Sequence, residues 1–236
     1  MGTKDLKILY EDNHILVCHK PAGIATQSKR IGSPDMVSIL KNHIASCPEG
    51  KSPGKKGNTP GEPYLAVIHR LDQPVEGIMV FAKTPFAAKE LNKELTSHGF
   101  GKYYRAMVTN PPSHSEGILE NYLVKDGRTN TSRICSKDTS GAKLAKLNYK
   151  IVSDDNRYFC ESSGCELNIH LDTGRHHQIR IQLAGIGCPI VGDVKYNPEV
   201  LTEKKRGFEP LKLCSYCLEF THPKTKKKMS FSLIEN

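Results

Sequence analysis

Residues 69–84 read HRLDQPVEGIMVFAKT, and the fold turns on how they are divided. The apolar run from Gly77 to Ala82 is continuous and too short for a helix, which predicts a strand buried on both faces. Thr84 then offers a side-chain oxygen as an N-cap and Pro85 suits a first helical position, so PFAAKELNKELTSHG is expected to be a helix. Ala87, Leu91 and Leu95 recur every four residues along it, and Gly99 marks its stop. Ahead of the strand, Arg70 and Asp72 place two charges between the β-rich YLAVI and a turn signalled by Pro74 and Gly77. A carboxylate at such a strand-to-turn junction either faces a cleft on rigid backbone or caps its own turn in an Asx-type bond.

Outward from this unit, KILYEDNHILVCHKPAG reads as two short strands around an Asp12-Asn13 turn, stopped by Pro21 and Gly23. DMVSILKNHIA is expected to be a short helix with Met36, Ile39, Leu40 and Ile44 on one face. CPEGKSPGKKGNTPGEP, residues 47–63, is too rich in Pro, Gly and Lys for regular structure and reads as a mobile basic loop within the domain. GKYYRAMV and KLAKLNYKIV alternate as strands, and RYFCESSGCELNIHL reads as a hairpin. HHQIRIQLAGIG fits helix or strand, whereas LKLCSYCLEFTHPKTKKKMSFSLI is a final hairpin with a Lys-rich turn. Strands outnumber helices and several neighbours pair as hairpins, so the class is α+β: one domain spanning 1–236, with a mixed, mainly antiparallel sheet, flanking helices and a central cleft.

The chain carries 34 Lys and Arg against 25 Asp and Glu, a formal charge of +9, which favours a polyanionic partner such as RNA. No apolar run reaches 18 residues and MGTKDLKILYEDN lacks the apolar centre of a signal peptide, so a cytoplasmic, membrane-free protein is expected. Its eight cysteines are expected to stay reduced. Cys214 and Cys217, three apart on a strand, point to opposite faces, and no second pair matches their spacing, so no metal is expected.

Two further stretches carry chemistry. In TGRHHQIR, Arg175 and Arg180 present planar forks suited to carboxylate or phosphate, and ordinary surface ion pairing is the bland alternative. Neighbouring His176 and His177 point apart in either regular structure, so core or RNA-contacting roles are favoured over a metal. In KYYRAMV, alternation puts Lys102, Tyr104, Ala106 and Val108 on one face and Tyr103, Arg105 and Met107 on the other. A tyrosine there either stacks on a nucleobase or packs in the core.

Taken in order, HKPAG at 19–23, HRLD at 69–72, GIMVFAKT at 77–84, KYYRAMV at 102–108, TGRHHQIRIQLAGIGCPIVGDVKY at 173–196 and LEFTHP at 218–223 resemble the RluA-type pseudouridine synthase family over nearly the whole chain. The resemblance implies that Asp72 is the catalytic aspartate, that Tyr104 stacks on the flipped base and assists proton transfer, and that Arg180 pairs with the catalytic carboxylate and favours its ionised form. By the same resemblance Arg175 is a phosphate contact or the alternative partner of Asp72, and Arg70 helps extrude the base or touches the RNA backbone. Lys102 and His177 are further expected RNA contacts, and the lysines at 51–56 and 224–228 are backbone contacts or solvated surface.

The resemblance further implies a reaction that isomerises uridine in ribosomal or transfer RNA with no cofactor, and the expectation is a monomer acting on structured RNA from which the base must be flipped. The family usually carries Thr-Ser-Gly where this chain has Val75, Glu76 and Gly77; the kept glycine should preserve the turn. Many relatives have a small N-terminal RNA-binding domain, so here substrate selection is expected in the catalytic domain, with the 47–63 insertion a candidate. The alternatives are a non-catalytic RNA-binding or ribosome-assembly protein that kept the fold, and a glycosidase. The second wants two paired carboxylates, and the sequence shows no second carboxylate matched to Asp72.

Overall fold

The computed structural model describes residues 6–28, 32–46, 62–153, 156–159, 164–197 and 209–234. The expected loop at 47–63, apart from Glu62 and Pro63, lies outside them, as do the lysines at 51–56. The chain gathers into two compact units, 1–101 with 216–236, and 102–215.

In the first unit, β1 (Ile8–Glu11) and β2 (Ile15–Lys20) form the expected hairpin. Asp12 closes it by accepting the His14 and Ile15 amides on Oδ1 at 2.7 and 2.8 Å. Helix α1 (Met36–Ser46) buries Met36, Ile39, Leu40 and Ile44, the face its spacing predicts. Asp35 starts it, accepting the Ser38 amide at 2.8 Å while Ser38 Oγ accepts the Asp35 amide at 3.0 Å. Strand β3 is only Ala66–Val67, antiparallel to β4 (Glu76–Ala82), which also pairs with β2. Ile78 to Ala82 are fully buried. Helix α2 (Pro85–Thr96) begins at the predicted cap, with Thr84 Oγ1 accepting the Ala87 amide at 3.2 Å. At its end the left-handed residue is His98, at φ 59, and Gly99 follows it, donating its amide to Glu94 O at 2.9 Å.

Ile78, Val80, Leu91, Phe100, Leu218 and Phe220 make up much of this unit's core. Phe220 belongs to β10 (Leu213–Thr221), which forms the predicted final hairpin with β11 (Lys228–Ser232).

The second unit is an antiparallel array in the order β5-β9-β8-β6-β7. Its strands are β5 (Gly101–Val108), β6 (Glu116–Asp126), β7 (Thr131–Cys135), β8 (Lys143–Ile151) and β9 (Cys165–Leu171). Strands β6 and β7 were not legible as strands because their residues are mostly half-exposed or exposed. The expected hairpin at 157–171 is corrected: among the described residues only its second arm, β9, is a strand, and its partners are β8 and β5. Tyr158 and Phe159 give their amides to the Glu166 carboxylate at 2.9 Å each, leaving them unavailable to a ladder. The ambiguous segment after His177 is helix α3 (Gln178–Gly185). The class is α+β with helices flanking a mixed, mainly antiparallel sheet, as expected. Among the described residues, no helix is long and apolar enough to cross a membrane.

Candidate active site

Asp72, in the first unit, ends an irregular stretch, not a strand as the sequence suggested. The ladder stops at Val67, and HRLD is held instead by side chains reaching it from elsewhere in the unit. Thr26 Oγ1 donates to Leu71 O at 2.9 Å and accepts the Leu71 amide at 3.3 Å, both bonds being buried. The Val80 amide of β4 donates to His69 Nε2 at 3.2 Å. Asp72 then opens a turn that the main chain closes, with the Val75 amide on Asp72 O at 3.0 Å.

Segment 20–24 clamps this turn. Gly23 donates its amide to Gln73 O at 2.8 Å, and Gln73 Nε2 returns a bond to Gly23 O at 2.9 Å. Gly23 adopts φ +87, a conformation that favours glycine. Beneath it lies Lys20, fully buried, whose ammonium donates to the carbonyls of Pro21 at 3.0 Å, Ile24 at 2.7 Å and Gln73 at 3.2 Å. Burial pushes the Lys20 amine down to about 8, against the opposing pull of the Asp72 and Glu76 carboxylates. Sequence reading missed Lys20 as an individual residue. Its signal was a lysine ending a buried strand immediately before Pro21.

Where Thr-Ser is usual, Val75 is buried and Glu76 is half-buried, its carboxylate 3.9 Å from His19 Nε2. Gly77 has φ +137, so the backbone itself calls for glycine there. Arg70 is exposed.

In the second unit, β5 carries Tyr104, 7% exposed, opposite Ile169 of β9. Tyr103 pairs with His170, their rings 4.9 Å apart. Lys102 is buried; burial lowers its amine, Asp172 opposes the drop and Arg175 adds to it.

The TGRHHQIR segment is a tied turn leading into α3. Gln178 Oε1 accepts from Thr173 Oγ1 at 2.8 Å and from the Arg175 amide at 3.0 Å, while its Nε2 donates to Lys146 O on β8 at 3.1 Å. Arg175 precedes the helix and is exposed, its Nε donating to Leu144 O at 2.8 Å. Arg180 is buried and makes two parallel bonds to Asp193, Nε to Oδ2 at 2.8 Å and Nη2 to Oδ1 at 2.7 Å. Its guanidinium carbon also lies 5.3 Å from the centre of the Tyr196 ring.

The expectation that His176 and His177 diverge is corrected. His177 takes φ 54, which folds the two rings into a stack with centroids 3.8 Å apart. His177 is buried, and its Nδ1 shares a 2.8 Å bond with the Tyr196 hydroxyl. That hydroxyl also accepts the Ser132 amide at 2.7 Å. Burial, aided by the Arg180 charge, pushes the His177 imidazole down to about 2, so the ring is neutral. Asp193 and Tyr196 went unread in the sequence, although both sit in the GDVKY stretch that carried the resemblance.

Among known proteins, the family model described as RNA pseudouridylate synthase matches residues 14–185. The dual-specificity RNA pseudouridine synthase RluA of Salmonella typhi is 29% identical over 97% of this chain and 92% of its own length. The ribosomal large subunit pseudouridine synthase C of Salmonella typhimurium is 31% identical over 94% of this chain and 64% of its own. Among solved structures, human RNA pseudouridylate synthase domain containing 4 superposes with a TM-score of 0.73 at 23% identity, over 99% of this chain and 91% of its own, a likeness of fold.

Proposed function

The chain belongs to the RNA pseudouridylate synthase family, and we propose that it isomerises specific uridines of ribosomal or transfer RNA with Asp72 as its catalytic carboxylate. In this reaction the N1–C1′ glycosidic bond breaks, C5 bonds to C1′, and the C5 hydrogen is replaced while N1 gains a proton. Product and substrate have the same composition and oxidation state, so neither water, cofactor nor metal enters the balance.

The observation that carries this reading is the clamp on Asp72. A solvated turn needs no fully buried ammonium and no buried threonine bond to hold it, whereas a carboxylate that meets a sugar carbon must keep its position within fractions of an ångström. Tyr104 supplies an aromatic plane for the detached base and a hydroxyl for proton transfer. Arg180, fixed by Asp193, supplies a positive charge that does not wander, to pair with the catalytic carboxylate. His177 and Tyr196 hold the start of α3 and so the base of Arg180, which we favour over RNA contact for His177.

Arg70, Lys102 and Arg175 serve the RNA. Arg70 is exposed beside Asp72 in sequence and suits base extrusion or a backbone contact. Among the lysines of the last turn, Lys226 is bound to Glu90 at 2.6 Å and is the least suited to phosphate. Ribosomal RNA is favoured because relatives are named for the large ribosomal subunit, and a relative named for dual RNA specificity leaves room for a second RNA class such as transfer RNA. We place the enzyme in the cytoplasm as a monomer.

The test is a map of pseudouridines in total RNA, read as carbodiimide-dependent reverse-transcription stops, from cells lacking the gene and cells restored with wild type or Asp72→Asn. A site lost on deletion and returned by wild type alone is the expected result. Unchanged maps with the protein expressed would favour a non-catalytic RNA-binding role.

A further inference from the structure

A pocket of about 530 Å³ opens in the second unit, at the end of the β6–β7 hairpin. Leu123 and Val124 contribute its apolar lining, and Lys125, Lys143 and Arg175 its charge. No carboxylate is among the described residues that line it. Three cations around one concavity repel one another, and an anion between them relieves that cost.

The arginine is already aimed. Its Nε is bound to Leu144 O at 2.8 Å and its amide to Gln178 Oε1, which fixes the guanidinium while its two terminal amino groups bond to nothing among the described residues. That leaves a fork suited to two oxygens of one phosphate. Neither the Lys125 nor the Lys143 ammonium is paired with a described carboxylate, and both residues are exposed. Beside Lys125 in the ladder, Ser132 Oγ donates to His176 O at 2.8 Å and shares a 2.9 Å contact with His176 Nδ1, which fixes that ring. Gly174 leaves the floor thin: a Cβ there would stand 3.7 Å from Lys102 Nζ, so a further ammonium lies just behind the pocket.

We propose that this pocket holds a backbone phosphate of the RNA substrate, on a nucleotide outside the one being isomerised. The inference rests on the pseudouridine synthase reading. Strand order β5-β9-β8-β6 puts Lys125 of β6 three strands from the strand of Tyr104, about 14 Å at ordinary spacing, so a phosphate held at Lys125 lies beyond that of a nucleotide whose base stacks on that ring. An apolar lining with a cationic rim suits a ribose and its phosphodiester, and reads no base edge, so the pocket contributes affinity and register but no sequence choice.

The test compares Lys125→Ala/Lys143→Ala with wild type and with Lys89→Ala/Lys93→Ala, an equal loss of exposed charge on α2. Binding of bulk ribosomal and bulk transfer RNA is measured across a salt series. The pocket variant is expected to keep the wild-type melting temperature and the wild-type single-turnover rate at saturating RNA. Its plot of log affinity against log salt should flatten by about 0.7–0.9, the change expected when one phosphate is no longer neutralised, while the α2 variant flattens by less. Equal flattening by both variants, or an unchanged slope in the pocket variant, would overturn the proposal. So would an unchanged slope joined to stabilisation of the wild-type melt by inorganic phosphate, which would assign the pocket to a free phosphate compound. A wild type that shows the pocket's salt signature but forms no pseudouridine would instead defeat the enzymatic reading and leave the pocket standing.

Discussion

Arg180 meets Asp193 edge to edge, in two parallel hydrogen bonds of 2.8 and 2.7 Å, with the two side chains 4% and 0% exposed. Removing one partner leaves the other charge buried. Asp193→Ala is expected to destabilise the protein by about 3–5 kcal/mol in urea denaturation. Arg180→Lys should keep more stability than that but lose turnover, because an ammonium cannot reproduce the two-point contact. Full activity of Arg180→Lys would show that the orientation of the fork does not matter.

Lys20 yields a prediction about pH. Its folded-state amine sits near 8, below the ordinary 10.5, so between those values the unfolded chain holds the extra proton and stability contributed by this group rises with pH. Wild type should therefore gain stability relative to Lys20→Met from pH 8 to 10.5, measured in parallel urea titrations. Turnover should move the other way. Loss of the proton above about 8 removes one donor from the carbonyls of Pro21, Ile24 and Gln73 and loosens the Asp72 turn. Lys20→Met should be slow at every pH and lack this alkaline limb.

The hydroxyl of Thr26 makes both buried bonds to Leu71, the residue before Asp72. Thr26→Val keeps the shape and strips the hydroxyl, so stability should fall by about 1–3 kcal/mol. If the clamp positions Asp72, kcat falls while KM stays near wild type. A rise in KM alone would assign Thr26 to RNA binding.

Tyr103 and Tyr104 are neighbours with different surroundings, one against the His170 ring at 4.9 Å and one buried opposite Ile169. Tyr104→Phe should lower turnover by about 10²-fold if its hydroxyl moves a proton, while Tyr103→Phe stays close to wild type. Equal losses would undo the assignment of faces on β5.

What could be read from the chain follows the range of the interactions concerned. Helix α2 was legible because its cap at Thr84, its Pro85 and its apolar repeat are local, and α1 because its four buried residues lie within nine positions. Strands β6 and β7 were not, since a half-exposed strand shows no apolar run. The stacking of His176 on His177 depends on a left-handed conformation at a residue that is not glycine, which the spacing rule assumes away. Asp72, Tyr104 and Arg180 stood out by resemblance. Their supports did not, because Lys20 reaches Gln73 across 53 residues and Thr26 reaches Leu71 across 45, and such pairings exist only once the chain is folded.

The decisive comparison is purified wild type against Asp72→Asn on RNA tritiated at C5 of uridine, which loses its label to solvent when C5 bonds to the sugar. Wild type should release tritium and Asp72→Asn none, with both binding the RNA alike in a filter assay. Release by Asp72→Asn at the wild-type rate would contradict the assignment of Asp72 as the catalytic carboxylate.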